Sequence, residues 1–401
     1  MIAGPPKTMA TLQLGLVAGE TSGDLLASAV LEGLHRHLGS ASFQACGIGG
    51  PAMTQNGFEA WWGIDSLSVS GYTEVLREYP RLLRLRRDVV ARMTRYAPDL
   101  FLGVDAPDFN LGVAARLRAS GLRTAHFISP SIWAWRAGRI DTIRKSVDHM
   151  LLVFPFEAQI YAAAGIAATY VGHPLADRIP KHPDRAAARL RLAAQGAPSQ
   201  GSLIALLPGS RRSEINHIAP DFFRAAQWLA QQRADMAFVV PAATPALHRL
   251  LIDMKATVAP NLGVTILQGS SYDALAACEG TLVASGTASL EAALFRRPMV
   301  ISYRLSRLNF AIMRRLALQP WVGLPNILAG EALVPELLQD DATPTALGRA
   351  LLRQLDDDHR RDLLSIRFAQ LHEQLACGCA DRAATVLLEL SQKGGGSARC
   401  R

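Results

Sequence analysis

Leu203-Ile204-Ala205-Leu206-Leu207-Pro208-Gly209-Ser210-Arg211-Arg212-Ser213-Glu214 is the stretch whose reading decides the fold. Its first five residues form an unbroken apolar run, as a strand buried on both faces of a parallel sheet requires. Pro208-Gly209 ends the run sharply. Ser210 or Ser213 suits the N-cap of a following helix, and Glu214 suits its first turn. Strand, turn and helix start together make an anion socket: free backbone N–H groups with Arg211 and Arg212 beside them. Many βα turns hold glycine, serine and arginine without binding anything, so the motif alone leaves both readings open.

Downstream the pattern repeats. A helix over 213–232, a strand at 237–241, a helix at 245–256, a strand at 263–267, a helix at 271–277 and a strand at 281–284 follow in βαβ rhythm. The last strand leads into Ser285-Gly286-Thr287-Ala288-Ser289-Leu290-Glu291, again a turn into a helix. Its N–H groups, three hydroxyls and carboxylate suit a diphosphate plus a ribose diol; they equally describe a well-capped helix with Glu291 on its surface. A strand at 298–303, an arginine-rich helix, a loop over 321–330 and a mostly helical stretch over 331–393 complete this half. Asp356-Asp357-Asp358 reads as a solvated helix cap rather than a metal motif.

Upstream, a strand at 12–18 runs into Gly19-Glu20-Thr21-Ser22-Gly23-Asp24 and a helix at 25–38, with a further strand at 43–48. The turn is not a G-x-G-x-x-G fingerprint, which disfavours a dinucleotide. A strand at 100–104 ends in Asp105-Ala106-Pro107-Asp108-Phe109-Asn110. Two acids just beyond a parallel strand stand where α/β proteins place their chemistry. Pro107 keeps Asp105 out of the helix, which makes Asp105 the better general base, while Asp108 suits an N-cap. Strands at 123–129, 148–154 and 168–171 follow. Their exits carry Ser129-Pro130-Ser131-Ile132-Trp133-Ala134-Trp135-Arg136 and Gly172-His173-Pro174.

The stretch 61–97 differs in character. Trp61, Trp62, Ile64, Leu67 and Val69 precede a basic helix with Leu76, Leu82 and Leu83 among seven arginines, and Pro80 is expected to kink or restart it. An apolar and cationic flank of this kind fits an anionic lipid surface; an ordinary amphipathic helix has the same periodicity.

A chain of 401 residues with 49% hydrophobic residues can fill two cores. The boundaries read as a first domain at 12–176, a linker at 177–201 and a second domain at 202–376. A C-terminal helix at 377–393, packed back or swapped, and a tail at 394–401 follow. The net charge of +8 favours anionic partners, but 6% aromatics and no stacking signature argue against nucleic acid. The five cysteines have irregular spacing, which speaks for reduced thiols and against zinc. No secretion signal or transmembrane run is read, so membrane contact would be peripheral.

The fold class that follows is α/β, with two Rossmann-like doubly wound domains facing a central cleft. The motifs quoted above, with Leu324-Pro325-Asn326, run in order from about residue 12 to 340, and together they resemble the lipid-A-disaccharide synthase family. The resemblance implies an inverting GT-B glycosyltransferase that joins UDP-2,3-diacylglucosamine to 2,3-diacylglucosamine 1-phosphate. It implies no metal and no cofactor, peripheral attachment to the cytoplasmic face of the inner membrane, and a homodimer formed by exchange of C-terminal segments.

On this resemblance Asp105 is the base, with Asp108 as alternative. Gly209, Ser210, Arg211, Ser285, Gly286, Thr287, Ser289, Glu291 and Asn326 attend the UDP moiety; Glu20, Ser22 and Gly23 attend the sugars. Rival readings are a UDP-sugar 2-epimerase, a peptidoglycan glycosyltransferase and a non-enzymatic lipid- or nucleotide-binding module.

Overall fold

The computed structural model describes residues 11–39, 43–67 and 72–392. The chain divides into two compact units. One runs to Asp177 and includes the residues from Leu375 onward; the other is Arg178–Gln374.

The first unit holds a seven-stranded parallel sheet of order β3-β2-β1-β4-β5-β6-β7. Its strands are β1 (Leu12–Ala18), β2 (Phe43–Gly49), β3 (Phe58–Gly63), β4 (Leu100–Val104), β5 (Thr124–Phe127), β6 (His149–Leu152) and β7 (Ala168–Tyr170). The second holds six parallel strands in the order β10-β9-β8-β11-β12-β13. These are β8 (Ser202–Leu207), β9 (Met236–Ala242), β10 (Val264–Gln268), β11 (Gly280–Ala284), β12 (Met299–Tyr303) and β13 (Glu336–Leu338). Strand order reverses between β1 and β4 in one sheet and between β8 and β11 in the other.

The apolar run 203–207 is buried throughout, because β8 lies between β9 and β11 with helices on both faces. On one face, helix Arg212–Gln232 buries Ile215, Ile218, Ala219, Phe222 and Phe223, and helix Pro344–Asp356 buries Leu347, Leu351 and Leu355. The spacings of three and four put each set on one side of its helix. In the first unit, Leu85, Val89 and Met93 of helix Tyr72–Tyr96 repeat every four residues against helix Pro107–Ala119.

The structure adds to the sequence reading or changes it in three places. Residues 58–63, including Trp61 and Trp62, form edge strand β3 paired with β2. Residues 336–338 form a strand beside β12 within a stretch read as helical. Pro80 lies inside a single helix over Tyr72–Tyr96 and does not restart one.

Residues 177–201, read as linker, contain helix Arg185–Ala193, which packs on helix Ser271–Ala277 within the second unit. Arg191 and Arg185 pair there with Asp273 and Glu279. The last described helix, Cys379–Gln392, packs on helix Thr21–Leu38. Gly33 permits this approach, since a Cβ there would lie 2.6 Å from the Ala380 carbonyl oxygen.

Helix Thr21–Leu38 starts earlier than expected, with Glu20 as N-cap, so Ser22 and Gly23 sit in its first turn. Asp24 is buried there and accepts the N–H groups of Gly50, Ala52 and Met53 at 2.8, 3.0 and 3.1 Å. Replacing Asp24 with alanine strands three amides at the start of helix Pro51–Gln55. The expected cost is about 3 kcal/mol, at the upper end for hydrogen bonds to a charged group, measured by denaturant unfolding.

Candidate functional site

At each reversal of strand order two neighbouring turns leave opposite faces of the sheet, and the site residues collect there. In the second unit these are the turns after β8 and β11. They line a cavity of about 400 Å³ with Gly209, Ser210, Arg211 and Glu214 on one side and Ser285, Gly286, Thr287 and Glu291 on the other.

The helix after β8 begins at Arg212 with Arg211 as N-cap, which displaces the serine caps expected from the sequence. Glu214 does the capping work: its Oε2 accepts the N–H groups of Ser210 and Arg211 at 3.0 and 3.2 Å. The socket is thus partly filled by the chain's own carboxylate. Gly209 is obligatory here, because its φ of +119° is left-handed and a Cβ would stand 2.5 Å from Glu214 Oε2. The Arg211 side chain is 75% exposed, with Glu214 Oε1 at 3.7 Å.

Across the cavity, Gly286 adopts φ +146° and precedes helix Thr287–Leu294. Ser285 Oγ donates to the Val322 carbonyl at 2.8 Å, and buried Ser289 donates to the Gly286 carbonyl at 2.7 Å. Those two hydroxyls therefore shape the turn, while Thr287 is exposed at the cavity. Burial pushes the Glu291 carboxyl up to about 7, against the opposing influence of the Tyr272 hydroxyl and the Arg178 guanidinium.

Asn326 stands apart from the cavity lining. Its Nδ2 donates to the Val334 carbonyl and Glu336 Oε1, and its Oδ1 accepts the Val334 N–H. With its polar atoms engaged, it orders the segment that receives Ser285. Reading by motif missed Pro241–Ala243, Gly269, Ser271 and Tyr303, which complete the lining. Their signal was position: all lie at or just beyond strand C-termini.

In the first unit the turns after β1 and β4 meet. A Cβ on Gly19 would lie 2.2 Å from Ala106 Cβ. Asp105 and Ala106 are both left-handed, at φ +51° and +42°. Asp105 is half-buried, and among the described residues its carboxylate has no hydrogen-bond or ion-pair partner. Asp108 is not the N-cap, which is Ala106; it sits in the first turn, 82% exposed, and pairs with Arg139. Its carbonyl accepts Arg86 Nη2 at 2.8 Å. Glu20 and Ser22 are exposed at the neighbouring turn, whereas Gly23 is buried.

Trp61 and Trp62 are half-buried against the core, with the Arg92 guanidinium 4.1 Å from the ring centre of Trp61 and 5.6 Å from that of Trp62. Ile64, Leu67 and Leu82 are partly covered, while Leu83 and Tyr79 are exposed one turn apart. Val69 lies outside the described residues, as does the side chain of Leu76. Among the described residues, no helix is long and apolar enough to cross a membrane, and no group of three or more His, Cys, Asp or Glu could hold a metal ion.

The tryptophan loop is anchored from below. Trp133 Nε1 donates to buried Glu157 at 3.1 Å, and the Trp133 ring meets Phe154 and Phe156 edge-on. His173 packs on Phe154, accepts the Leu175 N–H at Nδ1, and is pushed down to about 4 by burial, so it is neutral at pH 7. Trp135 is exposed beneath the Arg136 guanidinium.

Comparison with known proteins extends these observations. Solved structures share the two-unit architecture at low identity. A UDP-N-acetylglucosamine 2-epimerase from Neisseria meningitidis, bound to UDP-GlcNAc, aligns with a TM-score of 0.60 at 10% identity, covering 95% of this chain and 100% of the other. The calicheamicin glycosyltransferase CalG4 aligns at 0.58 and 14%, covering 96% and 99%. These likenesses establish the GT-B fold.

Sequence relatives are much nearer. A lipid-A-disaccharide synthase from Burkholderia thailandensis is 51% identical over 373 residues, 93% of this chain and 95% of the relative. One from Albidiferax ferrireducens is 52% identical over 369 residues, 91% and 93% of the two chains. The family model described as lipid-A-disaccharide synthetase matches residues 14–387. With that match spanning both switch points, the chain belongs to the lipid-A-disaccharide synthase family, the glycosyltransferases of lipid A biosynthesis.

Proposed function

We propose that the chain transfers 2,3-diacylglucosamine from its UDP derivative to the 6-hydroxyl of 2,3-diacylglucosamine 1-phosphate. The products are a β(1→6)-linked tetraacyl disaccharide 1-phosphate and UDP. The observation that carries the donor half of this reading is the cavity of about 400 Å³ at the second switch point. Its size falls in the range of roughly 300–1,000 Å³ typical of small-molecule sites. It brings together a helix start, an arginine and a half-buried carboxyl, which suit a diphosphate and a ribose diol. The UDP-GlcNAc bound to the Neisseria neighbour supports a sugar nucleotide on this fold.

Asp105 takes the proton of the acceptor 6-hydroxyl as that oxygen attacks the anomeric carbon. The bond from that carbon to the phosphate oxygen breaks, and its electron pair leaves with UDP. An unpaired carboxylate on a rigid turn suits this task better than Asp108, which Arg139 engages.

Because Glu214 occupies the amides of Ser210 and Arg211, the charge developing on UDP falls to the Arg211 guanidinium and the helix start at Thr287. Those groups do the work a divalent cation would do. Glu291 accepts the ribose hydroxyls, Ser285, Ser289 and Asn326 hold the turn in shape, and Glu20 and Ser22 contact the sugars.

The helix Tyr72–Tyr96 is the proposed membrane contact, on the cytoplasmic face of the inner membrane. Leu83 and Tyr79 enter the interface while exposed Arg84, Arg87 and Arg95 meet anionic headgroups. Asp65 and Asp88 are exposed nearby, so the contact depends on the arginines outnumbering them.

Asp105→Asn is expected to lower kcat by about 100-fold or more, the scale of a lost general base, while Asp108→Asn costs less than about tenfold. Disaccharide formation followed by mass spectrometry checks both. With a Glu291 carboxyl near 7, donor affinity should rise as pH goes from about 6 to 8 and the group ionises. Glu291→Gln should flatten that dependence in a titration with UDP. Activity should survive excess chelator undiminished; loss restored by magnesium would refute the metal-free reading.

A further inference from the structure

Asn110 closes the last turn of the Asp-Ala-Pro-Asp-Phe-Asn motif and is fully buried in the first turns of helix Pro107–Ala119. Its Nδ2 faces three carbonyl oxygens: Val17 at 3.1 Å, Val104 at 3.2 Å and Asp105 at 2.8 Å. Val17 belongs to β1 and Val104 to β4, the two strands that part at the switch point. Asp105 is the first residue of the turn that follows. One carboxamide thus spans the gap between neighbouring strand ends and holds the turn itself, with its shortest bond to Asp105.

The turn needs holding. Asp105 and Ala106 are consecutive non-glycine residues in the left-handed region, a conformation that persists only where the surroundings over-determine it. The Asp105 N–H donates to the Phe127 carbonyl at 3.1 Å, and Gly19 crowds Ala106 from the β1 side. On the sheet face, Gly103 leaves space that a Cβ would deny: it would stand 2.8 Å from His126 Nδ1 and 2.9 Å from Asn110 Cβ.

The chemistry of the position is narrow. Three oxygens around one nitrogen demand a donor, whose two hydrogens they share, so an aspartate would oppose them with charge and an aliphatic residue would remove the bond to the Asp105 carbonyl. Asn110 Oδ1 is itself buried without a partner, a cost accepted at the same residue that secures the turn. Nothing in core packing alone calls for this arrangement.

We propose that Asn110 is a positioning residue for sugar transfer: it staples β1 to β4 at the switch point and fixes the turn that aims the Asp105 carboxylate at the acceptor hydroxyl. The inference rests on the reading of Asp105 as the base, and the test separates the two. Asn110→Ala, Asn110→Ser, Asp105→Asn and the double variant Asn110→Ala/Asp105→Asn are assayed for disaccharide formation in the steady state with donor concentration varied, and rates are expressed per folded molecule from thermal unfolding.

Asn110→Ala is expected to lower kcat by about 30- to 100-fold, the cost of an ångström-scale misplacement, with donor KM changed less than about twofold. On the Asp105→Asn background the same substitution should cost almost nothing further, because the group it aims is gone. A kcat per folded molecule within about threefold of wild type for both Asn110 variants would overturn the proposal. So would a loss that multiplies undiminished onto Asp105→Asn, since that marks a general structural role. If Asp105→Asn itself keeps wild-type turnover, the assignment of the base fails, and Asn110 has no carboxylate to position.

Discussion

The parting of two adjacent parallel strands governs both units. Where β1 leaves β4, and β8 leaves β11, successive helices depart to opposite faces and the strand ends lose their cover. Backbone groups that a continuous ladder would pair must find other partners. The two units solve this with opposite chemistry. In the second, the unsatisfied groups are N–H donors, and the carboxylate of Glu214 takes two of them. In the first, the two N–H hydrogens of the Asn110 carboxamide are shared among three carbonyl oxygens.

Electrostatics at the two sites differ for the same reason. The second unit presents a helix start, an exposed guanidinium and a half-buried carboxyl poised near neutrality. The first presents a carboxylate on a turn with its own backbone pinned. In the proposed reaction, one site would gather the charge that arrives with the donor and the other would serve the acceptor hydroxyl. Glycosyl transfer needs both, and each is built from strand exits rather than from loops of free conformation.

Much of this was readable along the chain because the relevant signals are local. The apolar run at 203–207, the glycine turns and the acids after 104 are consequences of burial and backbone geometry that neighbouring residues report. Strand β3 was hidden because an edge strand is half-wet: Glu59 and Ala60 are exposed beside half-buried tryptophans. Strand β13, three residues long, was too short to show a period. The places of Gly209 and Glu291 on the cavity wall, and of Asp105 on the turn after β4, could be read from residue type and position. The capture of the Ser210 and Arg211 amides by Glu214 could not, nor could the full engagement of Asn326, because side-chain reach decides both. The tryptophan loop shows the same limit: Trp133 serves a buried carboxyl, which no spacing announces.

The return of helix Cys379–Gln392 to helix Thr21–Leu38 makes the first unit discontinuous, with Asp177 capping the returning helix through the N–H groups of Gly378 and Cys379 at 2.9 and 2.6 Å. During synthesis, the uninterrupted second unit leaves the ribosome whole while the first still lacks a helix. The usual order of maturation, N-terminal domain before C-terminal, is therefore inverted in its final step. The half that carries Asp105 gains its last described helix only after the whole of the second unit has been made, so a chain cut before residue 375 would hold a finished second unit and an unfinished first. Placement of the last described helix in this way makes the first unit, though begun earlier, the later of the two to close.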